Sequence, residues 1–131
     1  MTDDDAPYHA HIYYSARERP IAEALRGRFI GRAEAGDEPR IRFVGRMMDR
    51  GFGPHPMPQY EVHFLARSLG HVVAEIEATG LRGVVHPLTD DDLADHTTLA
   101  RWIGEPLDLD LGVLDPPGQN QGVPRFGKSD F

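Results

Sequence analysis

Two hydrophobic periods alternate along this chain, and their order limits the folds open to it. Tyr8 to Tyr14 (YHAHIYY) repeats every two residues and predicts a strand. That period puts Ala10, Ile12 and Tyr14 on one face and His9, His11 and Tyr13 on the other. Arg19-Pro20 then opens a helix, with proline where its missing N–H costs nothing. Ile21, Leu25 and Phe29 give this helix an apolar stripe, and Gly31 and Gly36 mark its exit. Arg40 to Met48 reads as a second strand in which Gly45 is a bulge or a close backbone approach. The run 49–58 (DRGFGPHPMP) holds three prolines and two glycines, which excludes regular structure, and it carries His55. Gln59 to Ala66 is a third strand, with Val62 and Phe64 toward a core and Glu61 and His63 opposite. Leu69, Val72, Val73 and Ile76 make a second amphipathic helix that stops at Gly80 and keeps His71 outside. Val84 to Leu88 is a fourth strand, placing His86 on the face of His9, His11 and Glu61. A helix capped by Thr89 or Asp90 runs through Leu93, Leu99 and Trp102 to Gly104, and Pro106 to Val113 alternates as an edge strand.

The order is strand–helix–strand–strand–helix–strand with an added C-terminal helix and strand. It predicts an α+β fold, the ferredoxin-like βαββαβ antiparallel sheet. Both helices cover one sheet face, so the other is open unless something covers it, and sheets of this size often close that face by pairing. The expectation is a homodimer, a dimeric α+β barrel with an enclosed space against the sheets. A chain of 131 residues makes a single domain over 1–131. Residues 1–7 form an arm, and 115–131 (DPPGQNQGVPRFGKSDF) form an extended tail that wraps the surface or a partner.

Composition narrows the chemistry. A net charge of −7 argues against a nucleic-acid partner, which needs a basic face. No apolar run approaches the length of a membrane span, and the acidic start MTDDDAP does not read as a signal peptide, so the cytoplasm is expected. The absence of cysteine removes disulfides, iron–sulfur clusters and thiolate zinc sites. Seven histidines turn any metal site toward imidazole and carboxylate ligands.

One sheet face collects His9, His11, Tyr13, Glu61, His63 and His86. With the first strand between the third and the fourth, opposed residues sit roughly 5 Å apart at Cβ, close enough to converge on one ion. Two histidines and a carboxylate with open positions opposite are the pattern of non-haem Fe(II) oxygen chemistry. Each residue also has a plainer reading. Isolated histidines are tolerated on half-exposed sheets, His55 sits in a loop, and His63 reads as structural. His96 is either an exposed helix residue beside Asp95 or a proton carrier whose pKa a carboxylate raises.

Three blocks carry a resemblance: YHAHIYY, GPHPMPQYEV and HPLTDDDLADHTTLARWIGEPLDLDL. In order and spacing they resemble the DOPA 4,5-dioxygenase family over Tyr8 to Leu111. The resemblance implies a ferredoxin-like extradiol dioxygenase that opens a catechol of the L-DOPA type with O2 to a muconic semialdehyde. It places the family's histidines on His9, His11, His55, His86 and His96, and leaves His63 outside. On that reading Fe(II) is held by three of His9, His11, Glu61 and His86, with His11, His86 and Glu61 favoured. His55 or His96 moves the catechol and peroxide protons, and Tyr13 or Tyr60 hydrogen-bonds the oxygen or the ring. Arg46 or Arg50 meets a substrate carboxylate. Two rivals stand beside it: a non-catalytic dimeric ferredoxin-like module that binds a small aromatic ligand or partner chain, and a cofactor-free or haem-dependent barrel oxygenase acting on a quinol.

Overall fold

Strands β1 (Pro7–Tyr13), β2 (Ile41–Val44), β3 (Gln59–Leu65), β4 (Gly83–Pro87) and β5 (Arg101–Ile103) form one antiparallel sheet. Their order is β2-β3-β1-β4-β5, which sets β1 between β3 and β4. Three α-helices complete the α+β fold: α1 (Arg19–Ala35), α2 (Leu69–Thr79) and α3 (Asp92–His96). The computed structural model describes residues 3–120 and 123–127. The outermost parts of the two expected tails, 1–2, 121–122 and 128–131, lie outside the described residues. No helix among the described residues is long and apolar enough to cross a membrane.

One sheet face makes the core. Ala10, Ile12, Val62, Phe64 and Val85 pack against Ala22, Leu25 and Phe29 of α1 and Val72, Val73 and Ile76 of α2. Each fully buried Leu, Ile, Val or Phe of this set contributes about 1.5–3 kcal/mol. Proline begins α1, and Gly36 ends it at φ 75°, its N–H bonded to Arg32 O at 3.2 Å. The stripe is Ala22, Leu25 and Phe29, while Ile21, expected within it, is exposed. Gly31, expected as an exit, lies inside the helix. Ala33 beyond it packs on the core, and that packing outweighs the roughly 1 kcal/mol glycine cost.

Several boundaries differ from expectation. β2 is shorter, ending at Val44; Gly45 lies close against β3, its N–H bonded to Glu61 O at 2.8 Å, and the next contact is the Met48–Gln59 bridge. The helix expected to reach Gly104 stops after five residues, and Asp91, not Thr89 or Asp90, caps it by accepting from Ala94 N at 3.0 Å. Thr97 closes it by donating to Leu93 O at 2.6 Å. Leu93 and Leu99 are therefore exposed, and Trp102 belongs to β5, paired with Val84. The free edge of β4 takes a strand there because edge pairing satisfies backbone groups a longer helix would leave open. The strand expected over Pro106 to Val113 is absent; only a 3₁₀ turn forms at Leu111–Val113. The N-terminal arm forms a 3₁₀ turn at Asp3–Asp5 and packs on the fold, with Ala66 N bonded to Ala6 O at 2.9 Å and Arg67 paired with Asp5.

The second sheet face is not open. His9, His11, Tyr13, Gln59, Glu61, His63 and His86 on it are all buried within one chain. The loop carrying His55 covers them, with α3 and the C-terminal segment, whose Phe126 ring stacks near His63. The cover expected of a second copy is supplied at these residues by the chain itself.

Candidate functional site

Strand register builds the site. His9 lies opposite His63 on β3 and His86 on β4, while His11 lies opposite Glu61 and Val84. Gln59 faces Tyr13. His55 arrives from the proline-rich loop, pinned by reciprocal backbone bonds with Phe52 at 3.0 Å. His96 arrives from the last turn of α3. The rings crowd together: His9 stacks on His63 at 3.7 Å, His11 lies 4.1 Å from His55, and His86 lies 4.3 Å from His96.

The ligand atoms fall into three groups, each with all its atoms within 4.8 Å of one another: His9, His11 and His86; His11, His55 and His96; and His9, Glu61 and His63. Three of the four expected metal residues thus converge as imidazoles. The favoured set of His11, His86 and Glu61 does not, because Glu61 turns toward His9 and His63. Its Oε1 is 3.5 Å from His63 Nε2. His11 and His86 are a diagonal pair, two residues apart in the β1–β4 register and so on one face, which brings their Nε2 atoms to 3.2 Å.

Hydrogen bonds assign the nitrogens. His86 Nδ1 donates to Pro87 O at 2.9 Å, and His11 Nδ1 donates to Gln59 Oε1 at 3.1 Å with the amide oriented as in the structure. Burial, and then the neighbouring imidazoles, hold the pKa of His9 and His11 well below the usual range. Burial followed by His96 pulls His86 down to about 3. Both rings are therefore neutral, and His11 Nε2 and His86 Nε2 present bare lone pairs to each other at 3.2 Å. Two lone pairs at that separation repel unless a cation sits between them. The donor set fits a divalent ion well, since cis ligands at metal–nitrogen bonds of about 2.1 Å stand roughly this far apart.

The remaining groups differ in kind. Tyr13 OH and His55 Nδ1 share a hydrogen bond of 2.7 Å; burial raises the Tyr13 pKa and lowers that of His55 to about 3. His96 runs the other way. Burial lowers it, but the Asp92 side chain and carbonyl, with Asp95 beyond, outweigh burial and raise it. Its Nδ1 lies 2.8 Å from Asp92 O and 3.3 Å from Asp92 Oδ1, which leaves Nε2 toward His11 and His55. Asp95, fully buried, takes Thr89 N and Oγ1 and Asn120 Nδ2 at 2.6–2.9 Å, bracing α3 from behind.

Other expected residues lie elsewhere. Tyr60 is on the core face and donates to Ala22 O at 3.2 Å, so it ties β3 to α1 and faces no substrate. Its own alternation with Val62 and Phe64 already placed it there. Arg46 and Arg50 are exposed and border a separate shallow hollow with Met47, Met48 and Asp49. His71 borders another between α1 and α2. Sequence reasoning left out His63, which is fully buried in the chamber, accepts Gly127 N–H at Nδ1 (3.0 Å) and so directs Nε2–H to Glu61. Its strand parity was the available signal. Gln59, which orients His11, has the same parity, and Asp92, which orients His96, stands one helical turn before it.

Known proteins share this sequence and fold. The sequence profile of the Dopa 4,5-dioxygenase family matches residues 8–113. A "DOPA 4,5-dioxygenase" of Amanita muscaria is 30% identical over 112 residues, covering 82% of this chain and 49% of that protein. An "Uncharacterized 21.2 kDa protein" of Botryotinia fuckeliana is 29% identical over 117 residues, covering 82% of this chain and 62% of that protein. The chain thus spans about half to three fifths of the length of these relatives. The crystal structure of a candidate dioxygenase from Nostoc punctiforme superposes with a TM-score of 0.73 at 33% identity, covering 86% of this chain and 94% of that one. With that profile matched over residues 8–113, the chain belongs to the Dopa 4,5-dioxygenase family.

Proposed function

We propose that this chain is a non-haem Fe(II)-dependent extradiol dioxygenase acting on L-DOPA or a related catechol with O2. The observation that carries the reading is the pair of bare Nε2 atoms of His11 and His86, 3.2 Å apart with both Nδ1 atoms committed elsewhere. His9, His11 and His86 would hold the ion, and Glu61 would lie beside His9. A ferrous ion held there would supply Lewis acidity to a chelating catechol and electrons to dioxygen. The chain's residues do the rest. Buried imidazole walls exclude bulk water from the chamber. His96 Nε2, with Nδ1 anchored on Asp92, takes a hydroxyl proton from the catechol and returns it as the ring opens. His55, held by Tyr13, lies 6.4 Å from His96 between ring centroids and can donate to oxygen from the other side. Both oxygen atoms end in a muconic semialdehyde. The test is metal analysis and O2 uptake on purified protein with Fe(II), ascorbate and L-DOPA. His11→Ala and His86→Ala should lose both iron and turnover; iron retained at wild-type stoichiometry in either variant refutes the ligand set. A non-catalytic binding module would show neither iron stoichiometry nor O2 uptake.

A further inference from the structure

The chamber histidines are almost closed to solvent, the most accessible being His96 at 8%. A hollow of about 290 Å³ borders His96, walled by Trp102, Leu107, Leu109 and Leu111 with Thr97 and Asp108. Its volume is near the lower end for small-molecule sites, enough for a ring substituent rather than a second ring system. The run PLDLDL, which forms no strand, makes its wall. Leu107, Leu109 and Leu111 line it, and Asp110 N bonds Pro54 O at 2.9 Å, tying that wall to the loop that carries His55. Trp102 stacks on Tyr13 at 6.2 Å and 15°, and Tyr13 in turn bonds His55, so the hollow and the chamber share a wall.

We propose that this hollow receives the side chain of the catechol, and that it selects catechols with a neutral or cationic side chain over those bearing a carboxylate. The inference rests on the dioxygenase reading above. Its ground is the charge of the lining. Among the described residues no lysine or arginine lines the hollow, and Asp108 is its one acid. His96 is its one imidazole among the described residues, and the Asp92 carboxylate already faces that ring at 3.3 Å. Arg46 and Arg50 border a different hollow, and Arg82 packs on Met57 and Gly104 instead. An incoming carboxylate therefore meets leucines and an acid with no cation to pair it. Like charges about 6 Å apart in a water-like medium cost roughly threefold in affinity, and more where the walls displace water.

Trp102 is the chain's single tryptophan, so its fluorescence reports this hollow directly. Titration of anaerobic Zn(II)-loaded protein with dopamine, 4-methylcatechol and 3,4-dihydroxyphenylacetate should quench it. The first two should bind three- to tenfold tighter than the third, with L-DOPA between. Asp108→Asn should narrow the gap, Asp108→Lys should reverse it, and 1 M salt should shrink it. Equal or tighter binding of the carboxylate, an unchanged gap in Asp108→Lys, or no quenching by any catechol overturns the proposal. O2 uptake measured in parallel separates the two readings. Absence of turnover with every catechol refutes the dioxygenase, while the quenching order alone decides the hollow.

Discussion

Acidification should unfold the metal-free protein far more steeply than an ordinary domain of this size. Burial lowers the pKa of His9, His11, His55 and His86, the last two to about 3. In the unfolded chain each titrates near 6.5. The unfolded state therefore gains protons first, and stability is full above pH 6.5 and lost as pH falls from there toward the folded values. At pH 5.5 each such histidine removes about 1.4 kcal/mol, so the four together remove about 5 kcal/mol. His96 acts in the opposite sense: its raised pKa adds stability below 6.5 that disappears as pH rises through its folded value, which offsets part of the loss. Since whole domains have about 5–15 kcal/mol, the stripped protein should lose its fold between about pH 4 and 5.5. Urea unfolding followed by far-UV circular dichroism after chelator dialysis, at pH 7.5 and 5.5, measures the difference. His55→Gln should lower the slope by about one proton. A change under 1 kcal/mol between those pH values would refute the account of a neutral, buried imidazole cluster.

Asp92→Asn should cut kcat about tenfold or more with KM and iron content little changed, because His96 keeps the Asp92 carbonyl but loses the carboxylate that raises its pKa. ¹⁵N chemical shifts of the His96 ring followed against pH would show the lowered pKa directly, and in a His96→Gln background Asp92→Asn should add nothing. Gly45→Ala should cost about 1–3 kcal/mol and disturb Glu61, since a Cβ there would lie 2.8 Å from Glu61 Cγ; an unchanged urea midpoint would contradict that packing. Tyr60→Phe should remove about 1 kcal/mol by losing the bond to Ala22 O while leaving steady-state kinetics intact. A Tyr60→Phe variant that binds catechol more weakly would restore it to the site.

Local periodicity alone placed most of the histidines. Alternation in YHAHIYY and QYEVHFL assigns His9, His11, Glu61 and His63 to one face, because parity along a strand needs no knowledge of its neighbours. The α1 and α2 stripes were legible for the same reason, though the first begins at Ala22 and leaves Ile21 exposed. The Leu93, Leu99 and Trp102 spacing misled, since the edge of β4 decides where that segment pairs and no local pattern encodes it. Which nitrogen of each ring is free, and toward what, depends on partners 48 residues away for His11 and 64 for His63. Only the closed structure brings those partners together. It also folds the loop around His55, α3 and the segment reaching Phe126 over the face that a bare sheet would leave to a second copy. Side-chain parity is written in the chain; convergence and cover arise from long-range packing.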